Sequence, residues 1–150
     1  MSDSVLYLIP ERPTLVPEKH AQQRAIAALR ALLPHAERIE AVTHERIGFV
    51  DPGGNFEGVF CPHCGSEITD NWRDWIDSAY HRSHFEELRV VTQCCSRESD
   101  LNSLRYEWPA GFARFKLAAR NPGSGWLEAS AQTAIETVLG CKLRQILAHI

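Results

Sequence analysis

The segment Cys61-Pro62-His63-Cys64-Gly65 carries the densest chemical signal in the chain. Two cysteines separated by two residues let both thiolates converge on one side of a tight turn, which is half of a tetrahedral zinc site. Gly65 permits the backbone to fold back so that its amides point at the sulfurs. The other half is expected from Cys94 and Cys95. Adjacent cysteines are a less usual pair than C-x2-C, because both reach one ion only where the backbone bends sharply. The expected ligand set is Cys61, Cys64, Cys94 and Cys95 around a structural Zn2+. Three variations stay open: one of Cys94 and Cys95 binds while the other packs in the core, His81 or His84 supplies the fourth ligand, or His63 does so from inside the knuckle.

Competing chemistry is weaker. Pro62-His63 between two cysteines resembles a redox dipeptide, but such pairs normally sit at a helix start after a strand, and a lone redox pair leaves Cys94-Cys95 unexplained. Tyr80, His81, Arg82 and His84 form a polar cluster without a nucleophile in a recognisable setting. Glu86, Glu87, Glu98, Asp100 and Glu107 are carboxylates that nothing pairs, so solvated surface is their default. Trp72 and Trp75, three apart, are expected to pack a helix onto the metal-bearing segment. The aromatic run Tyr106 to Phe112 lines a groove or forms a packed turn. Cys141 is expected to be a buried small hydrophobe. No nucleophile elbow, HExxH, phosphate-binding glycine loop or dinucleotide fingerprint is present. No catalytic residue is assigned.

Composition narrows the setting. With 150 residues, 44% hydrophobic and 23% charged, the chain suits one domain that buries a core without disulfides. The net charge of -3, with both signs interspersed, gives no general basic patch. Five cysteines, two of them adjacent, argue against a disulfide framework. No targeting or bilayer-spanning segment is legible, so the expected location is the cytoplasm.

The elements that must hold the cysteines follow from periodicity. Val5–Ile9 reads as a buried strand stopped by Pro10. Ala21, Ala25, Leu29 and Leu32 mark a helix over 18–33 that Pro34 ends. Residues 39–50 form one bent strand or a hairpin. A helix is expected over about 69–80, a strand over 88–92, and a half-buried strand over 112–118. A further helix ends at Gly140, and the last ten residues are strand or helix. The outline, strand-helix-strand twice, predicts an α+β chain: a ferredoxin-like split βαβ domain with a zinc-knuckle insertion at about residues 51–111.

Tyr7-Leu8-Ile9-Pro10, Phe60 to Gly65, Cys94-Cys95, Tyr106 to Phe115, Asn121-Pro122, Leu139-Gly140 and Ala148-His149-Ile150 together resemble a group of small uncharacterised bacterial cytosolic proteins. The resemblance implies no activity. A glycine is expected there after the paired cysteines; Ser96 stands in its place here. The leading expectation is a non-enzymatic, zinc-stabilised protein that binds another protein, for instance an immunity or antitoxin protein or an adaptor. A nucleic-acid-associated zinc module is the second reading, drawn from Arg105, Arg114, Lys116 and Arg120. A thiol redox enzyme or a zinc hydrolase is the third.

Overall fold

The computed structural model describes residues 3–150. Along the chain run β1 (Ser4–Pro10), α1 (Lys19–Leu32), β2 (Arg38–Val50), β3 (Gly58–Phe60), α2 (Thr69–Ser83), β4 (Arg89–Thr92), β5 (Arg97–Asp100), β6 (Arg105–Glu107), β7 (Gly111–Arg120), α3 (Ala129–Leu139) and β8 (Leu143–His149). No helix among the described residues is long and apolar enough to cross a membrane.

Four strands form the main sheet in the order β2-β7-β1-β8, and every neighbouring pair is antiparallel. Alternation sends Leu6 and Leu8 of β1 and Phe115, Leu117 and Ala119 of β7 into one buried layer. Ala25 and Leu29 of α1 and Ile135 and Leu139 of α3 complete that layer, so both helices lie on one face of the sheet. Of the α1 stripe read from spacing, Ala21, Ala25 and Leu29 are buried, while Leu32 in the last turn is 41% exposed. Gly140 stops α3 in the left-handed region at φ 80°, its N–H donating to the Glu136 carbonyl. A side chain at that φ would be strained.

Four details differ from or settle the sequence reading. Residues 39–50 are one strand, not a hairpin, with an irregularity between Thr43 and Gly48 that bends it. β7 is central, not half-buried: only Arg114, Lys116 and Arg120 reach partial exposure, because β2 and β1 flank it and packed cores lie on both sides. The last residues are strand, paired with β1 from Leu143 to His149. Cys141 is half-buried against the helix layer, since it lies just outside the last turn of α3.

Glu136 ties α3 to β8. Its carboxylate accepts the Leu143 N–H at 2.8 Å and a Gln132 amide hydrogen at 3.3 Å. The Leu143 amide, ahead of the neighbouring Gln132 and Lys142, holds its pKa below the ordinary carboxylate value. A depressed folded pKa gives stability that is present above the unfolded value of about 4.3 and is lost as pH falls through the folded value. Glu136→Gln is therefore expected to cost about 1 kcal/mol at neutral pH. Thermal melts should show the gap from wild type closing below about pH 4; a gap independent of pH would refute the assignment.

Between β2 and β7 the chain builds a second core. Val59, Ile68, Trp72, Leu101 and Tyr106 pack there with Phe112 of β7 and Ile47 of β2. Trp72, as expected, faces inward from α2: it stacks on Phe56 at 5.2 Å, and its Nε1–H donates to the Tyr106 hydroxyl at 3.1 Å. That hydroxyl donates onward to the Leu101 carbonyl. Trp75 and Ile76 pack at the edge of the same core.

Asn102 and Arg144 join the two cores. Asn102, 6% exposed, accepts the Phe112 N–H through Oδ1 at 2.9 Å and donates to the Glu11 carbonyl at 3.0 Å. Arg144 Nη1 donates to the Asn102 and Ala110 carbonyls, each at 2.9 Å. The backbone passes so close at Gly111 that an added Cβ would lie 2.8 Å from Arg144 Nη1 and 2.9 Å from Ile9 Cδ1. Gly111→Ala is accordingly expected to destabilise by about 1–3 kcal/mol, from overpacking, with no strained φ involved. A urea midpoint equal to wild type would contradict this.

Candidate metal centre

Two structures carry the four cysteines to one point. The first is the turn after β3. Cys61 N–H donates to the Ser66 carbonyl, and Gly65 N–H donates back to the Cys61 carbonyl at 3.0 Å. Gly65 sits at φ 79°, which makes it the residue that lets this turn close. The His63 N–H then points at Cys61 Sγ, 3.4 Å away.

The second is the β4–β5 hairpin. Thr92 pairs with Arg97, and the four residues between them make the turn. Ser96 N–H donates to the Thr92 carbonyl at 2.7 Å. Ser96 adopts φ 57°, the left-handed conformation for which a glycine was expected. The turn supplies the sharp bend that lets adjacent cysteines face one ion. Thr92, fully buried, braces it from below: its hydroxyl donates to the Arg97 carbonyl and lies 3.3 Å from Cys95 Sγ. Strand β5 was not read from the sequence, and Thr92 was read only as the end of the strand over 88–92; a hydroxyl that braces a turn leaves no periodic signal.

The four Sγ atoms lie within 4.8 Å of one another, so Cys61, Cys64, Cys94 and Cys95 are close enough to bind a metal ion. Cys61 and Cys95 are 3.8 Å apart, and Cys64 and Cys94 are 3.3 Å apart. A tetrahedral ion with Zn–S bonds of about 2.3 Å needs sulfurs about 3.8 Å apart. Four thiolates this close repel strongly unless a cation lies among them. Burial raises the Cys61 pKa, but amides of Cys64 and His63 and the Thr92 hydroxyl outweigh it and bring it down to about 6. Cys94, hydrogen-bonded to Cys64 and partly desolvated, is pushed up to about 12. The Ser66 hydroxyl and amide lower Cys64. The donors that favour ionised sulfur are thus already in place around Cys61 and Cys64.

The three histidines considered as ligands lie outside the cluster. His63 Nε2 is 3.0 Å from the Glu98 carbonyl of β5. His81 pairs with Asp77 at 3.3 Å, and His84, at φ 51° past the end of α2, packs on Tyr80. The redox geometry is also missing: Cys61 follows a strand, but α2 begins only at Thr69, so no helix N-terminus faces the thiols.

Other candidates dissolve into local structure. Glu86, Glu87, Glu98 and Asp100 line a cleft of about 680 Å³ beside Arg12 and Arg89. Glu87 accepts the Arg89 N–H, and Asp100 accepts from Asn102 and Ser103, so these carboxylates close turns. Glu107 lies apart in β6. Arg105 stands over the Phe60 ring at 5.0 Å, Arg114 donates to the His44 carbonyl, and Arg120 pairs with Asp3 at 2.6 Å. Trp108 stacks on Trp126 at 5.6 Å, joining the segment after β6 to the loop before α3. No family model matches the chain, and no curated protein or solved structure does so either.

Proposed function

We propose that Cys61, Cys64, Cys94 and Cys95 hold a structural Zn2+ and that the protein acts by binding another protein rather than by catalysis. The observation that carries the metal is the convergence of four sulfurs from two separate turns at tetrahedral spacing. Zinc is favoured over calcium or magnesium because all four donors are soft thiolates. Four sulfurs fill the tetrahedron, leaving no position for an activated water, and this weighs against a zinc hydrolase. The ion would pin the β4–β5 hairpin to the turn after β3, two short elements with little apolar surface of their own.

In this reading residues 51–111 are a zinc-knuckle insertion in a ferredoxin-like split βαβ domain of a bacterial cytoplasmic protein. The strand order β2-β7-β1-β8, with α1 between β1 and β2 and α3 between β7 and β8, supports that frame. A protein partner of the immunity, antitoxin or adaptor type fits the lack of assembled catalytic groups among the described residues. Cobalt(II) replacement tests the centre directly. Intense visible bands with thiolate-to-metal charge transfer are expected; the weak bands of an octahedral oxygen site would refute four-sulfur ligation. Affinity capture from the native host that repeatedly returns no specific protein would count against the partner.

A further inference from the structure

Helices α1 and α3 cover one face of the main sheet, and part of the opposite face is open. A small hollow of about 200 Å³ lies there, lined by Val5 and Tyr7 of β1, Arg38, Glu40, Val42 and His44 of β2, and Lys116, Ala118 and Arg120 of β7. Its floor is apolar and its rim is mostly cationic. The charges do not cancel. Arg38 pairs with Glu40 at 3.7 Å and Arg120 with Asp3 at 2.6 Å. Lys116 has no carboxylate within salt-bridge distance among the described residues; its ammonium stands over the Tyr7 ring, 4.9 Å from the centroid. The Tyr7 hydroxyl likewise has no hydrogen-bond partner within the described chain. Both side chains are half-buried.

A half-buried cation without a countercharge carries a desolvation cost that an anion would relieve. Burial, opposed by the more distant Glu40, lowers the Lys116 pKa, and burial, opposed by the Arg120 cation, raises that of Tyr7. Both shifts mark desolvated side chains, and Tyr7 keeps its proton to donate. The hollow is smaller than the roughly 300–1,000 Å³ of a cofactor pocket, so it suits one compact group. Donors reach it from three strands: the Tyr7 hydroxyl, Arg38, and Lys116 with Arg120. Donors arriving from several directions match a tetrahedral oxyanion, whereas a planar carboxylate is satisfied by one guanidinium fork. The Arg38–Glu40 pair is exposed, at 59% and 48%, and such a pair yields readily to a better partner.

We infer that this hollow binds a phosphate group, with Lys116 as its countercharge, Tyr7 as a hydrogen-bond donor and Arg38 at the rim. Three sources share that chemistry: inorganic phosphate, a nucleotide, and a single nucleic-acid strand passing over the sheet. The site is independent of the cysteine centre.

The test is amide-shift titration of the full, metal-loaded chain with inorganic phosphate, adenosine monophosphate and a 5′-phosphorylated oligothymidine. Saturable shifts centred on Tyr7, Val42 and Lys116 are expected with at least one probe. Equal affinity for all three would identify phosphate alone as the ligand, and tighter binding of the nucleotide or of the oligomer would identify that source. Lys116→Gln should weaken binding about tenfold or more, Lys116→Arg should retain most of it, and the exposed Arg38→Gln should weaken it several-fold. Arg105→Gln, on β6, should leave it unchanged. Melts and metal content of each variant check the fold, and Arg38→Gln carries the test if Lys116→Gln does not fold. No saturable shift with any probe at about 10 mM, or equal loss on Arg105→Gln, would overturn the site. So would binding that survives both Lys116→Gln and Arg38→Gln.

Discussion

Cys61→Ala is expected to abolish metal binding and to unfold the turn after β3 together with the β4–β5 hairpin. Cys61 is the innermost of the four ligands, 1% exposed, and its sulfur faces both the His63 amide and Cys95. Three remaining thiolates hold zinc far more weakly, and structural zinc contributes about 10–16 kcal/mol of apparent binding energy in small modules. Elemental analysis should fall from about one zinc per chain to none, because the site has one tetrahedral set of donors. The loss should stay local. Trp72 should move toward water as the packing with Phe56 and Tyr106 loosens, shifting tryptophan emission to the red. Amide exchange in β1, β7 and β8 should remain slow, since that ladder rests on the helix layer and not on the ion. Cys94→Ala and Cys95→Ala should also lose the metal, and His84→Ala should keep it. Metal that survives Cys61→Ala but not His84→Ala would sink the four-cysteine centre.

Asn102→Ala should be the most damaging change away from the cysteines. It leaves the Phe112 N–H and the Glu11 carbonyl without their partner and removes one acceptor from Arg144. An orphaned buried group such as the Phe112 N–H costs about 1–3 kcal/mol, and with the part-buried Glu11 carbonyl and the lost packing a total near 3 kcal/mol is expected. At about 2–4 °C per kcal/mol for a chain of this size, the melting temperature should drop by about 6–12 °C. Zinc content should not change, because Asn102 touches none of the ligands. The pair of measurements separates the two effects: an unaltered melt, or metal lost alongside stability, would show that Asn102 does not act as a joint between the cores.

The sequence showed most where one physical rule governs a long stretch. The stripe of α1, the helix that ends at Gly140 and the apolar run of β1 were legible because each buries a single face against one layer. β7 was found but its burial was underestimated. Its alternating arginines and lysine suggest a wet face, yet Lys116 lies over Tyr7, Arg114 binds a carbonyl and Arg120 pairs with Asp3. β3, β5 and β6 are only three or four residues long, and β5 and β6 are mostly charged, so periodicity says nothing about them. Their pairing is imposed from outside, by the turns that bring the cysteines together. The cysteine types and spacing therefore named the cluster, while the device that makes vicinal cysteines work, a hairpin turn with Ser96 in the left-handed region, was hidden. A non-glycine residue accepts that conformation only when the surroundings fix it, and a sequence does not display its surroundings. The Asn102–Arg144 joint was equally invisible, because its members are 42 positions apart.

Val50 and Gly111 face each other across the β2–β7 ladder, on the rung where the long excursion leaves the sheet and returns to it. Seen from the sheet, everything between them occupies the place of a hairpin turn. Such an arrangement is a natural cloning junction: the intervening stretch can be lifted out and a short turn spliced in, or a different stretch installed, without redirecting either strand. Loop closure penalises length only logarithmically, so the host sheet would barely register the exchange in chain entropy. What the recipient would have to replace is the cover over Ile47, Phe49 and Phe112, three apolar side chains that the excised stretch leaves bare, and the bonds that Asn102 makes to Phe112, Glu11 and Arg144.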